Sequence, residues 1–257
     1  MTTMISILPR ICRAAGLVRS TRELLSLVRS RPRSIASLEL VRAIEAAVGQ
    51  VGTIIDAGAN VGQFARAAVL TFPNADIISI EPLPDAALEL RRNLGDSAQV
   101  QIIEVALGDS DGTATFYPNA YSQASSILRI TESASKVADG LSEMPPIDVK
   151  LTRLDSLLQG RRLTPPVLFK LDLQGYELRA LRGCEEVIKS MRYIVCEVAF
   201  ESYYAGEPKF AEICEFLQPR GFYFDRPLNV ARGVDHQIFQ MDALFVSEKS
   251  PGGRPRR

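Results

Sequence analysis

VGTIIDAGANVGQFARAAVL, residues 51–70, decides the fold. Its first five residues are mostly apolar and rich in β-branched side chains, and an acid, Asp56, ends the run. That run reads as a buried strand over 51–56. Gly58, Asn60 and Gly62 then form a glycine-rich turn. Apolar residues at helical spacing follow over 61–72, and Pro73 stops them. A strand, a glycine turn and a helix in that order open a β-α-β unit of a parallel sheet.

The alternation continues outward from this unit. Strands are expected over 76–80, 100–107, 167–171 and 193–198, and helices over 85–94, 177–189 and 210–217. Two further strands, 221–224 and 243–246, have little helix between them, which predicts an antiparallel hairpin at one edge. Residues 112–158 interrupt the pattern, with short strands expected over 113–117 and 148–151 around a polar, turn-rich stretch at 119–126. An insertion of this length points to a functional segment, such as a cover over a site that orders around residues 121–126 when ligand binds. The expected fold is α/β, a Rossmann-like, mostly parallel sheet with an antiparallel edge and helices on both faces.

Charge divides the chain into three parts. Residues 1–38 carry seven Arg and one acid, and residues 248–257 carry four basic residues and one acid. With a formal net charge of zero overall, the middle holds the balance, −9. A body that acidic is ill suited to a phosphate backbone, so no nucleic-acid partner is expected. Residues 5–29 read as a basic amphipathic helix, packed on the main domain or lying on an anionic membrane surface, and 30–36 as a linker. The domain expectation is therefore an N-terminal extension over 1–50, a main α/β domain over 51–247 and a disordered tail over 248–257. Arg10, Arg13 and Arg19 break the apolar stretch a signal peptide needs, and no apolar run reaches membrane-spanning length. Four cysteines without CxxC spacing fit reduced thiols in the cytoplasm.

The glycine turn and the helix behind it suit a carboxylate or phosphate. Glu81 ends the second strand, 25 residues beyond Asp56, where an acid reaches the ribose hydroxyls of a bound nucleoside. Three features favour S-adenosylmethionine over a nicotinamide dinucleotide. The turn lacks the GxGxxG pattern and carries Asn60. Asp56 would repel a pyrophosphate but accept from the ammonium of a methionine moiety. The chain also closes with a hairpin instead of a second nucleotide-binding half. An oxidoreductase remains the minor alternative.

DAGANVGQFA, SIEPLPDA, EVALGDSDGTATFY, LTRLDSL, FKLDLQGYELRALRG, VCEVAFESYY and DALFV occur in this order between residues 56 and 246. The set resembles the FkbM family of methyltransferases. The resemblance implies a seven-stranded sheet whose last strand is antiparallel, S-adenosylmethionine as cofactor, and O-methylation of sugar or natural-product hydroxyls. It further implies that Gly58, Asn60 and Gly62 hold the methionine part of the cofactor and that Glu81 binds the ribose. Pro82 and Leu83 would lie on one side of the adenine, with Ala106 and Leu107 on the other. The expected partner is a small acceptor, a sugar or glycosylated metabolite. N- or carboxyl-methylation of another small molecule, or cofactor binding without turnover, are the alternatives.

Ligands of open α/β sheets meet the carboxyl ends of the strands. Asp172 and Glu197 end the fourth and fifth long strands and are the expected proton acceptor and hydroxyl-orienting group. Asp172 would otherwise hold the cofactor ammonium or cap a helix, and Glu197 would otherwise pair with Lys170. Glu177 is expected to close the helix start, and Asp109 to cap its turn. His236, the chain's single histidine, is a third candidate, in the loop between the last two strands. No HxxxH or CxxC spacing supports zinc. Asp172 and Glu197 could supply oxygen ligands to a divalent ion, but the reading favours a reaction without an obligatory metal.

Overall fold

A computed structural model describes residues 34–120, 122–131, 144–232 and 236–248. The expected helix at 5–29 and the tail beyond 248 lie outside these residues. Among them, no helix is long and apolar enough to cross a membrane.

Seven strands form the main sheet: β1 (Thr53–Ala57), β2 (Asp76–Ile80), β3 (Val100–Ile103), β7 (Val167–Leu171), β8 (Met191–Ala199), β9 (Phe222–Arg232) and β10 (Ile238–Ser247). Their order is β3-β2-β1-β7-β8-β10-β9. The first five are parallel, and β10 runs antiparallel to both β8 and β9. The expected hairpin thus forms one edge, with the last strand on its inner side. Strand order reverses at β1 and β7, whose carboxyl ends open the crevice where such sheets bind ligands.

Helix α1 (Ile35–Val48) begins at Ser34, whose hydroxyl accepts from the Ser37 N–H. The cap places the helix start inside the stretch expected as a linker. Leu38, Val41 and Ile44, three residues apart, pack with Phe64 and Ala68 of the second helix, with Phe72 that ends it, and with Ile54, Ile77 and Leu168 of the sheet. Residue 50 therefore does not separate two cores. The second helix, α2 (Gln63–Thr71), and α3 (Pro84–Leu94) follow β1 and β2.

The third strand departs from expectation. The chain leaves the main sheet after Ile103, where Glu104 turns outward to pair with Arg91 at 2.8 Å. Ala106–Leu107 (β4) then joins a second sheet, β4-β6-β5, with Gly112–Phe116 (β5) and Ile147–Thr152 (β6). A short helix, α4 (Leu154–Leu157), leads away from it. The insertion thus carries its own sheet, attached beside the crevice.

The helix expected over 177–189 also stops early, as α5 (Glu177–Arg182). A Cβ at Gly183 would lie 1.9 Å from the Gly108 carbonyl oxygen, so the chain turns there against the β4 exit. A 3₁₀ turn follows at Val187–Ser190, with the Asp155 carboxylate accepting from the N–H groups of Glu186 and Val187. The last helix, α6 (Phe210–Leu217), matches its expected span.

Candidate functional site

The turn after β1 is shaped by its neighbours. Gly58 has φ of 78°, and a Cβ there would meet the Asp172 carbonyl oxygen at 1.9 Å. Its glycine lets the ends of β1 and β7 touch. Gly62, with φ of 95°, would strike Leu90 of α3 at 2.6 Å. Asn60 also adopts positive φ, 49°, and its side-chain oxygen accepts from the Val61 N–H at 2.7 Å.

Glu81 clamps this turn. One carboxylate oxygen accepts from the Asn60 N–H at 2.8 Å and the other from the Leu83 N–H at 2.9 Å. Burial raises its carboxyl to about 7, against the pull of these two donors. Each oxygen keeps a further lone pair for an incoming hydroxyl.

Beyond Glu81 lies a cleft of about 290 Å³, partly open to solvent and lined by Ile80, Pro82, Val105, Ala106, Leu107, Phe116, Ile127, Leu173 and Tyr176. Of the residues expected beside the adenine, Pro82, Ala106 and Leu107 line this cleft and Leu83 does not. Phe116 and Ile127, from the insertion, were not legible as lining residues, because nothing in the sequence tells where an insertion folds back. An apolar slot whose lining residues Ile80 and Pro82 flank an acid, Glu81, has the chemistry of a nucleoside site.

Asp56 requires a correction. It was expected to meet a cofactor ammonium, but its side chain is 0% exposed and pairs with Lys170 Nζ at 3.1 Å. Strand parity turns it onto the sheet face beneath α2, away from the crevice. Its burial raises the carboxyl, and Lys170 opposes this. Lys170 also donates to the carbonyl oxygens of Ala57 (3.3 Å) and Gly58 (3.2 Å) and lies 3.5 Å from Asp172 Oδ2. Burial alone would lower the Lys170 ammonium, but Asp56 and Asp172 hold it above its ordinary value. Four surrounding oxygens fit the charged form.

Asp172 and Glu197 do come together. Gln174, at φ of 52°, donates its amide to Asp172 Oδ1 at 2.8 Å and to Glu197 Oε2 at 2.9 Å. The Tyr204 hydroxyl donates to Gln174 Oε1 at 2.8 Å, and the Ser126 hydroxyl to the Gln174 carbonyl at 2.7 Å. Burial, then the charges of Asp172 and Asp242, push the Glu197 carboxyl well above the usual carboxylate range. Asp242 stands opposite Glu197 in the β10–β8 register, and burial and Asp172 raise it to about 6. Asp172 stays open, with 37% of its side chain exposed. Asp242 and Lys170 had a signal, each being a charge inside an apolar strand. Gln174 and Tyr204 had none.

The Lys170 pairing expected as an alternative for Glu197 goes instead to Asp56 and Asp172. Glu177 accepts from the N–H groups of Leu173 and Gly175 and so closes the loop that carries Gln174. Asp109 pairs with Arg179 at 2.8 Å, while Asp111 holds the turn through Thr152, Arg153 and Ser156. His236 is exposed on the β9–β10 turn, at the site's end of the sheet but beyond β10, with φ of 65°. No hydrogen bond among the described residues joins it to Asp172 or Glu197. No group of three His, Cys, Asp or Glu among the described residues is arranged to hold a metal ion.

Residues 56–224 match the methyltransferase FkbM domain. The 2-O-methyltransferase NoeI of Sinorhizobium fredii (strain NBRC 101917 / NGR234) is 28% identical over 191 residues, covering 72% of this chain and 77% of that protein. The 31-O-demethyl-FK506 methyltransferase FkbM of Streptomyces tacrolimicus is 26% identical over 191 residues, 66% of this chain and 72% of its own length. The hexuronic acid methyltransferase AglP of Haloferax volcanii is 24% identical over 145 residues, 56% of this chain and 54% of its own. The crevice at the β1–β7 switch, the clamped turn and the apolar slot lie within the matched residues. The chain belongs to the FkbM family of S-adenosylmethionine-dependent methyltransferases.

Proposed function

We propose that this methyltransferase acts on a hydroxyl of a sugar or other small polyol, and that Asp172 receives the hydroxyl proton. The observation that carries this reading is the asymmetry of the two bridged carboxyl groups. Asp172 is open to the crevice, while Glu197 is pushed toward its protonated form by burial. One is placed to accept a proton and the other to orient an oxygen by donating or accepting a hydrogen bond. The 2-O-methyltransferase and the hexuronic acid methyltransferase among the relatives support an oxygen acceptor. The buried free thiols of Cys184 and Cys196 support a reducing, cytoplasmic setting.

The residues fit the cofactor that the family implies. Glu81 and the slot beside Pro82, Ala106 and Leu107 would hold its nucleoside, and the turn at 58–62 its amino-acid end. Bound there, the cofactor supplies an electrophilic methyl group. The protein's own task is alignment and removal of one proton. Gln174 holds the two carboxyl groups in register, and the insertion excludes water from one side.

The test is Asp172→Asn, which keeps the side chain's shape and loses its charge. The acceptor comes from fractionated extracts supplied with methyl-labelled cofactor, and an alkali-stable product separates an ether from an ester. Single-turnover transfer should fall about 10²–10⁴-fold at saturating cofactor, with cofactor affinity and melting temperature little changed. Normal turnover in the folded variant would remove Asp172 from the reaction. Loss of cofactor affinity alone would reassign it to the cofactor ammonium.

A further inference from the structure

The reaction needs the cofactor turn and the proton-accepting carboxylate in fixed relation, yet they end different strands. The turn follows β1, and Asp172 follows β7. Two backbone features join them. The Asp172 N–H donates to the Ala57 carbonyl at 3.2 Å, and Gly58 leaves room for the Asp172 carbonyl. A third link is a side chain. We propose that Lys170 is a positioning residue, whose single buried ammonium fixes the cofactor turn against the carboxylate of Asp172. The proposal rests on the reading of Asp172 given above.

A purely structural lysine at this place would need one counter-ion, and Asp56 supplies it at 3.1 Å. Lys170 does more than pair. Its other contacts are the carbonyls of Ala57 and Gly58, where the turn begins, and Asp172 at 3.5 Å. Moving this ammonium tilts both ends of the crevice at once. The ring of Phe64, the second residue of α2, lies 5.4 Å from Nζ, which ties the helix behind the turn to the same charge. A displacement of about 1 Å in such an alignment is enough to cost 10²-fold in rate.

A buried ion pair of this kind is not needed for stability, since a neutral pair of similar volume often serves as well. That makes the two roles separable. Lys170→Met alone leaves Asp56 buried and unpaired, so its melting temperature should fall. The double variant Asp56→Asn, Lys170→Met removes both charges and should melt close to the wild type. The probe is S-adenosylmethionine carrying a ¹³C-methyl group, whose bound resonance reports the methyl environment without any acceptor. If Lys170 positions the site, the double variant binds this probe about tenfold more weakly and shifts its methyl resonance toward the free value. A double variant with wild-type affinity and resonance would overturn the proposal. Should the double variant melt early, Lys170→Arg keeps the charge on Asp56 while changing the four-oxygen geometry. Wild-type affinity and resonance in that variant overturn the proposal equally. Asp172→Asn is the control for the underlying reading. An unchanged methyl resonance there shows that Asp172 does not face the methyl group, and it removes the coupling to Asp172 whatever Lys170 does to the turn.

Discussion

Gly58 has two separate reasons to be glycine, and they give it a different weight from Gly62. Its φ is positive, and a Cβ would meet backbone, the Asp172 carbonyl oxygen, at 1.9 Å. Backbone cannot rotate away, so Gly58→Ala must part β1 from β7. Gly62→Ala meets the end of the Leu90 side chain, which can turn aside, leaving mainly the cost of positive φ, about 1–2 kcal/mol. Gly58→Ala should therefore lose measurable S-adenosylhomocysteine binding by calorimetry, while Gly62→Ala should keep it within about tenfold. Equal effects would show that the contact with Asp172 is not what demands glycine. Glu81→Ala should weaken the same ligand by roughly 1.5–3 kcal/mol, through lost charge-assisted bonds and a released turn. Wild-type affinity would refute the ribose assignment. At this scale the sequence showed which residues gather at the strand ends, because strand ends follow from pattern. It did not show their partners. Asp56 was misread because its direction depends on strand parity and on a lysine 114 residues away.

The element boundaries that sequence reading found best are those set by local chemistry. β2, β7 and α6 match their expected spans, each being a short run with clear punctuation. The misses came from long-range contacts. The strand expected over 100–107 splits because Ala106 and Leu107 find partners in β6, and the helix expected over 177–189 ends where Gly183 meets Gly108. The insertion is the element with the most direct bearing on ligand binding. Tyr117 and Ser126 pair their backbones, the Ser122 hydroxyl donates to Asn60 Oδ1 at 3.2 Å, and Phe116 and Ile127 line the slot. A ligand filling the slot would rest on the insertion directly. Saturating S-adenosylhomocysteine should then slow tryptic cleavage after Arg129 at least several-fold, measured by mass spectrometry under limiting protease. The same rate with and without ligand would show that the insertion does not respond to cofactor.

For the whole molecule, the site stores several carboxyl groups that folding makes harder to ionise. Burial raises Glu81 and Glu177 to about 7 and Asp242 to about 6, from ordinary values of 4.5 and 3.8. A carboxyl with a raised folded value holds its proton more tightly in the native state. Its stabilising contribution is complete below the unfolded value and is lost as pH rises through the folded one. For Glu177 that loss is about 3 kcal/mol once pH exceeds 7. Ligand-free protein should therefore melt at a lower temperature at pH 8 than at pH 6. Glu177→Gln should reduce that decline, since a neutral amide oxygen can still accept from Leu173 and Gly175. Cofactor binding should run the other way. Ribose hydroxyls donate to the ionised form of Glu81, so binding is coupled to loss of its proton, and the coupling is strongest below pH 7. The affinity for S-adenosylhomocysteine should rise about tenfold between pH 6 and pH 8, and Glu81→Gln should flatten that rise. The two slopes are opposite in sign, so one series of melts with and without ligand from pH 5.5 to 8.5 tests both. A ligand-free melting temperature that climbs from pH 6 to pH 8 would mean that Glu81, Glu177 and Asp242 are ionised in the native state. An affinity independent of pH in the wild type would mean that the proton on Glu81 plays no part in holding the cofactor.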